Sequence, residues 1–214
     1  MDCVKACLHE ALQTAGRFYT VDELMRVLTR DQGFWGSQGG VTFGGGEPLF
    51  QPEFLLAVLA ECRSNYIHTT VETSAYTQGR ILTEVLQWTD AIFIDIKHMD
   101  TAVHCLGTGA GNELVLENIK EVALSGWEGR MIIRIPVVPG YNDTIENLQA
   151  TADFMVKHRL KEVNLLPFHR LGHSKYEQLG LNFEYAQVPS PSLETLWQYK
   201  RIFEKAGLQC YIGS

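Results

Sequence analysis

Ala91-Ile92-Phe93-Ile94-Asp95-Ile96-Lys97-His98 is the stretch on which the fold turns. Four apolar residues in succession read as a buried strand, and the strand runs straight into charge. Asp95 and Lys97 are two residues apart, so on an extended chain they share a face. That pair is either an ion pair plugging one end of the fold or a polar grip on a zwitterionic or hydroxyl-bearing ligand. The same design recurs on both sides. Upstream, Val41-Thr42-Phe43 leads into Gly44-Gly45-Gly46-Glu47-Pro48, and residues 67–71 lead into Glu72-Thr73. Downstream, Met131-Ile132-Ile133 continues into Arg134-Ile135-Pro136, and residues 162–166 end at Pro167-Phe168-His169.

Helix-like runs separate these strands, at 54–62, 81–88, 112–124 (closed by Gly126) and 193–205 (closed by Gly207). Asp143-Thr144-Ile145-Glu146 is a capping signature in which the Asp143 carboxylate can accept the first helical N–H groups. Thr20-Val21-Asp22-Glu23 is a capping box for a helix to about Arg30, and Cys210-Tyr211-Ile212 reads as a terminal strand. Alternating strands and helices mean parallel β/α units, because parallel strands need long crossovers. The strands are nearly continuous in apolar residues, so both sheet faces are expected to be buried. A barrel, a partial barrel and an open doubly wound sheet all fit. Glu47, Glu72, Asp95, Lys97, Arg134 and His169 recur at C-terminal strand ends, where barrels assemble their sites. A full barrel needs about 250 residues. The 214 residues here favour a partial α/β barrel.

Composition excludes several function classes. Hydrophobic residues are 45% and charged residues 20%, an ordinary globular mix. The net charge of −7 argues against a chain built to grip nucleic acid phosphates. No run of 18 apolar residues offers a membrane span. Met1-Asp2-Cys3-Val4-Lys5 is unlike a signal peptide. Five cysteines, an odd number, fit a reducing cytoplasm. Cys3-x₃-Cys7 is either half of a metal or cluster site or one face of a helix.

The glycine run is neither a P-loop nor a dinucleotide fingerprint, since no Gly-Lys-Ser/Thr follows and Leu49 stands where the third glycine would be. It is a tight strand-to-helix turn or a main-chain cradle for a ligand. Glu72 and Thr73 beside Asp95 could hold a hard cation. Arg134, inside an apolar strand, needs a partner, either a protein carboxylate or a substrate. His98, His104 and His173 lack the His-Glu-x-x-His spacing of zinc hydrolases, and no Gly-x-Ser-x-Gly elbow occurs.

In this order, the segments 39–49, 67–73, 95–100, 133–140 and 165–172 with Lys175-Tyr176 resemble one family along essentially the whole chain. The chain resembles the glycyl radical enzyme activating enzymes of the pyruvate formate-lyase-activating type, a branch of the radical S-adenosylmethionine superfamily. The resemblance implies a partial barrel of six β/α units. It implies that Gly45, Gly46, Glu47 and Pro48 hold the amino group of S-adenosylmethionine, and that Asp95, Ile96 and Lys97 line the same ligand with Lys97 near its carboxylate. His169 would contact its ribose or adenine side. Glu72, Thr73 and Asp95 would bind a monovalent cation, and Arg134 would meet the glycine-bearing loop of the partner. The implied partners are a glycyl radical enzyme, a lyase or decarboxylase, and an electron donor such as flavodoxin or ferredoxin.

The superfamily works through Cys-x₃-Cys-x₂-Cys, whose thiolates hold a 4Fe-4S cluster that passes an electron to S-adenosylmethionine. Here Cys3-x₃-Cys7 is followed by Glu10 in place of the third cysteine. The expectation is an N-terminally truncated protein, lacking the first strand and its cluster loop. Residues 1–18 would be the remnant of a ferredoxin-like insert, with Cys3 and Cys7 left from an accessory cluster, and residues 19–214 the partial barrel. Such a chain is expected to be inactive alone. A missing first strand would expose the 41–43 edge, which would self-associate or be covered by residues 1–15. Two other readings stay open: an acid–base lyase or isomerase using Glu47, Glu72 or His169, and a non-catalytic fragment that binds S-adenosylmethionine or the partner.

Overall fold

The computed structural model describes residues 2–9, 11, 14, 16–36 and 39–213. The chain divides into two compact units between Gly39 and Gly40. The first contains α1 (Asp2–Lys5), α2 (Val21–Asp31) and a 3₁₀ turn at Gln32–Phe34. The capping box is formed at α2: the Thr20 hydroxyl accepts from the Glu23 N–H, and the Glu23 carboxylate accepts from the Thr20 N–H at 2.9 Å. The expected cover of residues 41–43 by residues 1–15 involves Met1, Glu10, Leu12, Gln13 and Ala15, which lie outside the described residues.

The second unit is an alternating α/β layer structure. Its elements are β1 (Val41–Phe43), α3 (Pro52–Ser64), β2 (Thr69–Thr73), α4 (Gly79–Leu86), β3 (Ala91–Asp95), α5 (Thr101–Thr108), α6 (Glu113–Leu124), β4 (Arg130–Val137), α7 (Ile145–Lys157), β5 (Glu162–Pro167), α8 (His173–Gln178), α9 (Leu193–Lys205) and β6 (Gln209–Ile212). The six strands form one sheet in chain order, every neighbouring pair is parallel, and β6 does not close onto β1. The terminal run expected at 210–212 is thus a full sixth strand. No helix among the described residues is long and apolar enough to cross a membrane.

One sequence expectation is corrected here. The strands do not bury both faces equally. Val71, Ile92, Ile94, Ile96, Ile133, Ile135, Val137, Val163, Leu165 and Cys210 all lie in one apolar cluster with Leu59, Leu82, Ile119, Leu148, Met155 and Phe203 of the helices. Strand alternation sends Glu72, Phe93, Asp95, Lys97, Ile132, Arg134 and Asn164 to the other face. The apolar-looking strands hid this because Phe93 and Ile132 sit among the charged positions.

The cap of α7 is a second correction. Thr144, not Asp143, is the N-cap and accepts from the Asn147 N–H at 3.2 Å, while Asp143 accepts from the Gly140 N–H at 2.9 Å. Gly40, just before β1, is a glycine by necessity, since a Cβ there would stand 2.4 Å from the His68 carbonyl oxygen.

Among the described residues, α3, α7, α8 and α9 end in the same left-handed turn. The residues at that turn are Tyr66, Arg159, Gly180 and Gly207, at φ 56°, 58°, 66° and 83°. Each is followed by a bond back to the last helical turn: Ile67 N–H to Cys62 O, Leu160 N–H to Met155 O, Leu181 N–H to Tyr176 O and Leu208 N–H to Phe203 O. Glycine suits this conformation, because a Cβ there meets backbone strain. Tyr66 is 96% exposed and loses no packing on truncation. Tyr66→Gly is expected to raise unfolding stability by about 1 kcal/mol in urea titration.

At the N-terminal end of the sheet, Arg130 grips Glu162 through Nε and Nη2, and the Tyr211 hydroxyl donates to the same carboxylate. Arg130 therefore holds the Glu162 carboxyl below its ordinary 4.5. A depressed carboxyl adds stability above its unfolded pKa and loses it as pH falls through the folded one. Arg130 is more than half exposed, which limits the effect. The Glu162→Gln variant is expected to lose less stability than wild type on acidification below pH 4.5, the difference being about 1 kcal/mol or less, read from denaturation midpoints against pH.

Candidate functional site at the C-terminal strand ends

The glycine run leaves β1 and is tied down by Glu47. Its carboxylate accepts four hydrogen bonds: from the Thr73 hydroxyl at 2.6 Å, the Leu49 N–H at 3.1 Å, the Ser74 N–H at 2.8 Å and the Ser74 hydroxyl at 2.7 Å. The first two fix the short 3₁₀ turn Pro48–Phe50 to β2, and the last two fix the turn after β2. Gly44, Gly45 and Gly46 remain exposed, with Gly45 at φ 105°. The Glu47 side chain positions this loop and has little capacity left for a ligand of its own.

The second half of the site is a charge network on the open sheet face. Arg134 Nε donates to Asp95 Oδ1 at 2.8 Å, and its Nη1 reaches Glu72 Oε2 at 2.8 Å. Lys97 Nζ lies 3.1 Å from Asp95 Oδ2. The Arg134 guanidinium also lies 5.4 Å from the Phe93 ring. Burial alone would push Arg134 down, and the two carboxylates beside it raise it instead, so it stays charged. Of the two partners considered for Arg134, the protein carboxylates are present, as Glu72 and Asp95. Asn164 is its register neighbour on β5, and Asn164 Oδ1 is buried without a hydrogen-bond partner.

The remaining candidates are placed as follows. Glu72 and Asp95 come together around Arg134, whereas the Thr73 hydroxyl turns to Glu47. Ile96 is buried in the helix-side core, and its N–H donates to the Arg134 carbonyl. His169 is exposed just past β5. His98 and His104 are structural: His98 Nδ1 accepts from the Asp100 N–H, and His104 Nδ1 lies 2.7 Å from the Ala110 carbonyl. Cys3 and Cys7 lie in the separate N-terminal unit. Among the described residues no group of three His, Cys, Asp or Glu side chains is placed to hold a metal ion.

A cavity of about 330 Å³ opens at these ends, lined by Ser74, Tyr76, Asp95, Lys97, His104 and Thr108. It falls in the usual size range of small-ligand sites, about 300–1,000 Å³. A roomier groove, about 660 Å³, lies on the outer helices between α7 and α9, where no such charge network gathers.

Sequence reasoning missed the groups that hold the loops in place. Four buried asparagines do so. Asn112 Nδ2 donates to the His98 and Met99 carbonyls, and Asn118 Nδ2 to those of Ala75 and Thr77. Asn142 Nδ2 donates to the Lys97 and Pro136 carbonyls, while Asn147 accepts from the Met99 N–H and donates to the Asn142 carbonyl. The available signal was Asn118 on the apolar stripe of α6, between Val115 and Val122. Ala75, at φ 54° and fully buried, is part of the same clamp.

With the geometry in place, comparison with known proteins is informative. The profile of the radical SAM superfamily matches residues 7–155. The chain is similar to the 4-hydroxyphenylacetate decarboxylase activating enzyme of Clostridioides difficile, 47% identical over 212 residues, covering 99% of this chain and 67% of that protein. It is 36% identical to the (2S)-3-sulfopropanediol dehydratase activating enzyme of Klebsiella oxytoca, covering 96% of this chain and 66% of that one. The chain thus spans about two thirds of the length of these relatives. Among solved structures, a domain of pyruvate-formate lyase-activating enzyme from Bacteroides vulgatus superposes with a TM-score of 0.69 at 34% identity, covering 82% of this chain and 99% of that one.

Truncating one clamp tests how much the site depends on it. Asn118→Ala leaves the Ala75 and Thr77 carbonyls without their buried donor. The expected cost is about 2–3 kcal/mol of unfolding free energy in urea, well above the near-zero cost of Glu117→Ala on the exposed side of the same helix.

Proposed function

We propose, because this chain belongs to the radical S-adenosylmethionine superfamily and to its glycyl radical enzyme activating branch, that it forms the S-adenosylmethionine pocket of an activator that removes a hydrogen atom from a backbone glycine of a partner enzyme. One observation carries the reading. Glu47 fixes the loop that carries the exposed Gly44–Gly46 run at the same strand ends as Asp95, Lys97 and Arg134.

The donor set suits the zwitterionic end of S-adenosylmethionine. Main-chain carbonyls of the exposed glycine run can accept from an ammonium, and Lys97 can meet a carboxylate. Glu47 then acts by position and not by direct contact, and Ile96 offers its main chain alone. Asp95 orients Lys97, and Arg134 fixes Asp95. In this reading Glu72 and Asp95 take part in cation binding only by sharing their oxygens with Arg134. When bound and reduced by one electron, S-adenosylmethionine supplies the group that takes the glycine hydrogen. His169 stands at the rim for the far end of the ligand, and Asn164 offers an unfilled acceptor beside Arg134 for the incoming segment.

The cluster that delivers the electron does not fit the thiols of these 214 residues. Cys62 and Cys210 are core thiols, pushed by burial up to about 11 and about 12, and Cys105 is exposed on α5. Cys3 and Cys7 fall one ligand short of the three-cysteine motif. The chain alone is therefore proposed to bind the cofactor without cleaving it. The acid–base lyase reading is weaker, since Glu47 is saturated and Glu72 is paired.

Titration calorimetry is expected to show weak S-adenosylmethionine binding, reduced about tenfold or more in Lys97→Met. Anaerobic incubation with iron, sulfide and dithionite is expected to release no 5′-deoxyadenosine. Absence of binding would sink the pocket, and a reducible 4Fe-4S signal with cofactor cleavage would sink the claim of inactivity.

A further inference from the structure

Residues 168–192 run between β5 and α9; they include the short helix α8 and, after it, a 14-residue stretch, 179–192, without helix or strand. Connections in compact domains mostly take about 2–8 residues, and longer ones are commonly functional. This one is compact. The Phe183 ring lies 4.9 Å from that of Tyr176 and 5.5 Å from that of His173, and Tyr185 lies 5.9 Å from Phe168. Arg170 Nη1 donates to the Ala186 carbonyl at 3.0 Å, bracing the two arms of the loop.

Held by its own rings, the loop shows Leu171, Leu179 and Leu181 to solvent, at 80%, 72% and 57% exposure. One exposed leucine is ordinary, whereas three within residues 171–181 of one braced loop call for a partner. The loop is continuous with the site. It leaves the strand that carries Asn164 beside Arg134, and the Phe168 N–H donates to the Val137 carbonyl of β4.

We propose that this rim loop is the docking surface for the protein that presents its glycine to the strand-end site, engaged through apolar side chains flanking the glycine-bearing segment. The inference rests on the activating reading above. A macromolecular substrate must cross the rim to reach Arg134, whereas a small ligand in the cavity would leave these leucines untouched. The loop's charges, Arg170 and Lys175 against Glu177 and Glu184, are balanced. That is unlike the basic face of a membrane-surface element.

The test uses the 214-residue chain, immobilised, with purified 4-hydroxyphenylacetate decarboxylase and (2S)-3-sulfopropanediol dehydratase as probes. One variant carries Leu171→Ser, Leu179→Ser and Leu181→Ser together. The control is Leu124→Ser, equally exposed at the end of α6. Wild type is expected to bind at least one probe, the triple variant to bind it about tenfold or more weakly, and the control to match wild type. S-adenosylmethionine binding should be equal in all three, which excludes misfolding. If wild type binds a probe and the triple variant binds it equally, the docking surface is wrong while the activating reading stands. If the triple variant loses only self-association in sedimentation, the face joins copies of this chain and the proposal is wrong. If wild type binds neither probe, the activating reading falls and takes the docking surface with it.

Discussion

Parallel strands stop abruptly, and their last carbonyls and N–H groups must find partners or water. At the C-terminal end of this sheet several loop carbonyls turn inward toward buried side chains. Four buried asparagines meet the demand. A carboxamide donates twice and accepts twice, which lets Asn142 bond three main-chain groups of two different loops at once. A hydroxyl could not span them, and a carboxylate would face carbonyls with like partial charge. The loop carrying Ser74 is therefore held from α6 by Asn118, while the loops carrying Lys97 and Val138 are tied to each other by Asn142, which Asn147 of α7 holds in turn.

This arrangement leaves the open face free for charge. Arg134 can sit between Glu72 and Asp95 because its planar fork addresses two carboxylates in different directions. A lysine at that position would meet one of them well. The network also sets a limit on chemistry. Each carboxylate is already engaged, so a ligand adds to a preorganised field and is oriented by it. Of the four charged groups, the Lys97 ammonium remains the most accessible, at 36% side-chain exposure.

Much of this was legible because chemistry repeats at strand ends. Glu47, Glu72, Asp95, Lys97 and Arg134 were visible as polar stops on apolar runs, and the structure gathers them. What was not legible followed from counting hydrophobicity without tracking its face. Ile132 and Phe93 are apolar on the open side, so β3 and β4 looked buried on both faces. The helix α5 was missed because Gly107 and polar residues blur its stripe, and α8 because its six residues, HSKYEQ, carry no stripe at all. Asp143 looked like a cap by residue type, yet it was recruited by Gly140, and the next residue took the role. Local propensity identifies candidates, and the tertiary position of the turn decides among them.

The two glutamates singled out by sequence show why residue type underdetermines role. Glu47 and Glu72 sit at neighbouring strand ends, each plausible as an acid or a base. Glu47 points toward N–H and hydroxyl donors of the adjoining turn and becomes a rigid staple. Glu72 lies on the open face opposite a guanidinium and becomes part of the field. Thr73, next to Glu72 in sequence, faces the other way and serves the staple. A single-residue step along β2 thus separates the part of the site that holds shape from the part that presents charge, and the alternation of an extended chain is what makes that separation possible.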